Sequence, residues 1–115
     1  MVADRLRELL LRGDGAGELS GPGVRNGRAE HPVCGDLVEL SIRVDGERIG
    51  EVRWRASGCP AAMAVAALAA NVLGGVPVAD AASVLHAAIG EHGGLKAHER
   101  HAEALLARAL QDAGV

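Results

Sequence analysis

The chain has 115 residues, 49% of them apolar, and a formal net charge of −3, the profile of one domain with a small core. Trp54 is its only aromatic residue and no Lys/Arg stripe forms, so both the stacking platforms and the phosphate-neutralising surface of a nucleic-acid binder are missing. The longest apolar run, about Cys59 to Leu73, is too short to span a bilayer, and Met1–Arg5 lacks the basic start and apolar core of a signal peptide; a soluble cytoplasmic protein with reduced thiols is expected.

Residues 4–12 read as a short amphipathic helix, with Leu6, Leu9 and Leu10 on one face. Gly13 to Gly27 holds six of the chain's sixteen glycines, with Pro22 and Asn26, and reads as a mobile connection. Residues 1–28 are thus a helix plus a Gly-rich connection, and 29–115 the main domain. From Leu37 to Val44, Val38, Leu40, Ile42 and Val44 alternate with Glu39, Ser41 and Arg43, the period of a half-buried strand. Asp45-Gly46 signals a turn, and Arg48 to Ala56 reads as the returning strand, with Val52, Trp54 and Ala56 on one face. A third strand is expected near Val24–Arg28. Pro60 then opens an almost wholly apolar helix to about Leu73 that should lie centrally. Gly74-Gly75 stops it. A helix starting at Pro77 carries Ala81, Val84, Leu85, Ala88 and Ile89 as its stripe. The last helix, about Lys96 to Ala113, presents His98, His101/Ala102, Leu105 and Ala109 inward. The fold class is α+β: a small antiparallel sheet with helices on one face.

Chemistry gathers in His31-Pro32-Val33-Cys34-Gly35-Asp36 and in Ser57-Gly58-Cys59-Pro60. Thiolate, imidazole and carboxylate are the zinc-binding set, and four of them close a tetrahedral site; thiolates also suit iron–sulfur clusters. Cys34 and Asp36 flank a glycine that tolerates a tight turn. Cys59 stands at a helix N-terminus, where the macrodipole favours the anionic, ligating form. His101 adds a nitrogen ligand if the last helix packs beside these turns. Each residue also has an ordinary reading. Free cysteines are commonly buried, or the two could pair as a disulfide, which a reducing compartment disfavours. Asp36 could stabilise its turn. A histidine on an apolar face is often a satisfied core residue. His31, His86, His92 and His98 read as surface or cap residues, with His98 the spare ligand.

Pro32-Val33-Cys34-Gly35-Asp36, then a hairpin, then Gly58-Cys59 opening an Ala-rich helix, resembles the IscU/NifU-type iron–sulfur cluster assembly scaffold family over about Ala29 to Leu110. The resemblance implies a SufE/IscU-like α+β fold. It also implies a ligand set of Cys34, Asp36, Cys59 and His101 for zinc, iron or a [2Fe–2S] cluster. A cysteine desulfurase and recipient apo-proteins are the implied partners, and no catalytic residue is implied. The third family motif, His-Cys in the IscU-like branch, reads His101-Ala102 here, so the thiol that commonly accepts sulfur is missing. Ala62 and Val65 stand where the family tends to carry serine, and Leu95–Glu99 lacks the Leu-Pro-Pro-Val-Lys-like chaperone segment. A sulfur-handling regulator of a desulfurase, or a zinc-binding adaptor derived from the scaffold, are the alternative functions.

Overall fold

The computed structural model describes residues 3–33 and 35–115; Met1, Val2 and Cys34 lie outside the described residues. Among those described, three strands form one antiparallel sheet in the order β1 (Val24–Glu30), β2 (Leu37–Asp45), β3 (Arg48–Ser57). Four α-helices follow the α+β expectation: α1 (Asp4–Arg12), α2 (Pro60–Val72), α3 (Ala81–Glu91) and α4 (Arg100–Asp112). Helix α2 packs on β3, α4 lies along β1, and α1 and α3 pack against α2. Among the described residues no helix is long and apolar enough to cross a membrane.

The alternation in β2 places Val38, Leu40 and Ile42 under the helices, all of them buried. β3 breaks its own alternation. Ile49 and Val52, three residues apart, are both buried, because the register slips where Arg43 pairs with Glu51 and Val44 with Ile49. Gly50 is the extra residue of this bulge, and one unpaired residue changes which parity faces the core. Helix α2 forms the middle of the core: Ala62 and the run Ala64–Ala69 have at most traces of exposure. Its small side chains let neighbouring elements approach, while Leu68, Leu73, Leu85, Leu105 and Leu106 supply bulk.

Strand β1 pairs fully with β2, from Val24 opposite Arg43 to Glu30 opposite Leu37. Gly27 in its middle is there for α4. A Cβ on Gly27 would overlap the Ala109 carbonyl oxygen and crowd Ala113, so the bare backbone sets how closely α4 can lie. The Gly-rich stretch before β1 is anchored along the outer edge of β3. The Trp54 N–H donates to the Gly15 carbonyl (3.0 Å), and the Gly17 N–H donates to the Trp54 carbonyl (2.8 Å). The indole Nε1–H donates to the Asp14 carbonyl (2.6 Å).

The third and fourth helices each begin differently from the sequence expectation. Residues Val78–Asp80 and Ala97–Glu99 form single 3₁₀ turns ahead of α3 and α4. The second turn has a consequence for the inner face. His98, which the helical stripe put there and which otherwise read as a surface or cap residue, is exposed, and Glu99 is buried instead. A 3₁₀ turn advances about 120° per residue, compared with about 100° in an α-helix. The inward phase of α4 therefore does not extend back through the turn. Glu99 is held by the Lys96 N–H, which donates to Glu99 Oε1 (3.0 Å).

Candidate metal centre

Sheet register gathers the site. Leu37 opens β2 and pairs with Ser57, the last residue of β3; Glu30, the last residue of β1, also pairs with Leu37. The loop carrying Asp36 and the turn carrying Cys59 therefore leave the same end of the sheet. Helix α4, lying along β1, brings its first turn and His101 to that end.

The loop between β1 and β2 is closed by two backbone hydrogen bonds. The His31 N–H donates to the Asp36 carbonyl (2.8 Å), and the Gly35 N–H donates to the His31 carbonyl (2.9 Å). They turn the Asp36 side chain inward, where it is 7% exposed. Gly58 makes room for it. Its φ is +98°, and a Cβ there would overlap Asp36 Oδ1. Only glycine combines that backbone angle with that approach. Cys59 follows as the N-cap of α2, with Pro60 at the first helical position. No acidic residue stands in the first turn of α2, so nothing there offsets the positive end of the helix dipole next to the sulfur.

The outcome is a three-donor cluster. One ligand atom each of Asp36, Cys59 and His101 lies within 4.8 Å of the other two. Asp36 Oδ2 stands 3.3 Å from His101 Nε2. Two ligands at about 2.0–2.2 Å from one tetrahedral ion stand roughly 3.4 Å apart, so this pair is already spaced for a shared metal. Nε2 is itself buried and makes no hydrogen bond among the described residues. It faces the carboxylate without hydrogen-bond geometry, which is costly for a buried polar atom, and an ion between it, the carboxylate and the thiol would satisfy it. The residues present fit a metal. Of the four ligands read from the sequence, these three are brought together; Cys34 lies outside the described residues. Ala102, the next residue along, is fully buried in the core.

Sequence reasoning missed one neighbour. His31, read as a surface or cap residue, is half-buried. Its ring packs edge-to-face on His101, with centroids 5.5 Å apart and planes at 74°. The only sequence signal was its place at the start of the Cys34–Asp36 loop. The partner ring comes from an element seventy residues later in the chain, so spacing carries no trace of the contact. His98, the spare ligand, is not in the cluster.

A family model described as "NifU-like N terminal domain" matches residues 12–115. The chain belongs to this family of NifU N-terminal, IscU-type iron–sulfur cluster assembly scaffolds. The family is one of non-catalytic scaffold proteins. The NifU-like domain is 34% identical over 88 residues to "Iron-sulfur cluster assembly scaffold protein IscU 1" of Archaeoglobus fulgidus, covering 76% of this chain and 58% of that protein. It is 40% identical over 82 residues to "Bifunctional protein NifU/MnmA" of Rubrobacter xylanophilus, covering 70% of this chain and 16% of that protein. The chain thus spans little more than half the length of its archaeal relative. Among solved structures, the scaffold protein for the SUF system from Fervidobacterium islandicum superposes with a TM-score of 0.76 at 16% identity, covering 96% of this chain and 94% of that one. At that identity the likeness speaks for the shared fold alone.

Proposed function

We propose that this domain is a non-catalytic scaffold that holds iron, zinc or a [2Fe–2S] cluster in transit, with Cys34, Asp36, Cys59 and His101 as protein ligands. The observation that carries this reading is the convergence of the Asp36, Cys59 and His101 donors within 4.8 Å of one another. The names of the relatives supply the cargo, as proteins of iron–sulfur cluster assembly. Cys34 enters from its place two residues before Asp36. A carboxylate is a harder ligand than a thiolate and holds soft metals less firmly, which suits a site that passes its cargo on. Sulfur would come from a cysteine desulfurase and the assembled cluster would go to recipient apo-proteins, both in the cytoplasm.

The test is anaerobic reconstitution with iron and sulfide. Cluster absorption should develop in the unaltered protein and be lost in Cys34→Ala and in Cys59→Ala. No cluster under any reconstitution condition removes the scaffold reading for this chain.

One observation favours a second reading. Position 102, where the IscU-like branch carries a cysteine, is a fully buried alanine, so no sulfur-accepting thiol follows His101. A zinc-holding adaptor, or a partner that regulates a desulfurase through Cys34 or Cys59, would keep the ligands and dispense with that thiol. Protein purified without air separates the two: zinc without acid-labile sulfide favours the adaptor, and iron with sulfide the scaffold.

A further inference from the structure

His31 belongs to the loop that carries Asp36, yet its ring touches the histidine of another element. Its backbone closes the loop through the Asp36 carbonyl. Its Nδ1 accepts a hydrogen bond from the Val33 N–H (3.3 Å), which fixes the plane of the imidazole against its own loop. The ring then meets His101 edge-to-face at 5.5 Å. On its other side His101 Nε2 faces Asp36 Oδ2 at 3.3 Å but makes no hydrogen bond among the described residues, and the side chain is 28% exposed. A histidine near a metal needs something to set its ring, and a hydrogen bond from the other nitrogen is the usual device. Here an aromatic contact stands in that place; edge-to-face pairs prefer a defined angle and separation.

We infer that His31 is a positioning residue for His101: its ring holds the His101 imidazole with Nε2 turned toward Asp36 and Cys59. Among the described residues no nitrogen of His31 joins the three-donor cluster, and its contact there is with the His101 ring. The loop that delivers the carboxylate thereby also aims the imidazole, and the two donors are set together. This rests on the metal-site reading given above, and the experiment separates the two.

Three variants are compared with the unaltered chain: His31→Phe, which keeps an aromatic ring without nitrogen, His31→Ala, and His101→Ala. All leave the backbone hydrogen bonds of the loop available. Cobalt(II) and zinc affinities are measured by competition with a chromophoric chelator. His31→Ala should weaken binding on the order of tenfold, the effect typical of losing a group that orients a ligand. His31→Phe should recover most of that loss and keep the cobalt d–d spectrum of the unaltered protein. If His31→Phe binds as weakly as His31→Ala, or changes the cobalt spectrum as a lost nitrogen ligand does, the nitrogen matters and positioning is overturned. Equal affinity in all His31 variants overturns it as well. A second measurement needs no metal. In the metal-free protein, nuclear Overhauser contacts should join the ring protons of residues 31 and 101 in the unaltered chain and in His31→Phe. Their absence overturns the inference even if metal binds. Their presence in a chain that binds neither metal retains the positioning contact and removes the metal-site reading alone.

Discussion

Gly58→Ala tests how the carboxylate is brought to the site. The added methyl would overlap Asp36 Oδ1 and lie 3.2 Å from both Cα and Cγ of the same residue. Asp36 is 7% exposed, so its side chain has no open space to swing into without dismantling the turn. Two costs arise and can be separated. A non-glycine residue at φ +98° carries backbone strain of about 1–3 kcal/mol whatever its neighbours are. The collision with Asp36 adds overpacking of about 1–3 kcal/mol. A double-mutant cycle with Asp36→Ala isolates the second part. In urea unfolding of the metal-free proteins, Gly58→Ala should destabilise the unaltered background by at least about 1 kcal/mol more than the Asp36→Ala background. Zinc affinity should fall by about ten- to a hundredfold in Gly58→Ala alone, because the carboxylate is displaced. Equal destabilisation in both backgrounds, or an unchanged zinc affinity, refutes the claim that Gly58 exists to admit Asp36.

Removing metal should leave the buried His101 Nε2 without a hydrogen bond among the described residues: zinc at a hundred times its dissociation constant adds about 2.7 kcal/mol of stability, and chelation should lower the melting temperature on the order of 10 °C. Gly27→Val should push α4 off β1 through the Ala109 carbonyl and Ala113, at about 1–3 kcal/mol in chemical denaturation. Asp14 is held below the usual carboxylate range by hydrogen bonds from Arg12 and then Asn71. Because its folded pKa is depressed, its contribution is present above the unfolded carboxylate value and is lost as pH falls through the folded one. The unaltered protein should therefore be more stable than Asp14→Asn at pH 7, with the difference closing in acid; a difference that grows on acidification contradicts the sign.

The hairpin and the central helix were legible because their signals are local. The alternation of Val38, Leu40 and Ile42 is a strand facing helices on one side only, and Pro60 followed by a continuous apolar run is a buried helix. The burial of Ile49 on the same face as Val52 comes from the register shift at Gly50, which alternation in the sequence does not reveal. β1 was faint for a physical reason. Its sequence, VRNGRAE, gives up a side chain at Gly27 so that α4 can approach, and the contact that justifies the glycine is more than eighty residues away. The misplacement of His98 has a similar cause: a single 3₁₀ turn shifts the helical phase, and periodicity over so short a stretch does not distinguish it from an α-helical start. Asp36, Cys59 and His101 were readable as ligand chemistry, but their meeting is a property of sheet register and helix packing. The contact of His31 with His101 has no sequence counterpart at all.

Adjacent positions on α4 do opposite work. His101 stands at the edge of the helix that faces the sheet end, with Nε2 3.3 Å from the Asp36 carboxylate. Ala102, about 100° further round, is fully buried between the helix and the core, as are Leu105, Leu106 and Ala109 on the same side. The close approach of Gly27 to the Ala109 carbonyl and Ala113 fixes the α4 backbone against β1 on that side. A small apolar residue at 102 is what close packing here selects. The same helix thus sets an imidazole 3.3 Å from the carboxylate and, one residue on, a buried methyl group in place of a thiol. Among the described residues α4 gives the cluster one donor, the His101 imidazole, and the proposed fourth ligand is Cys34, two residues before Asp36.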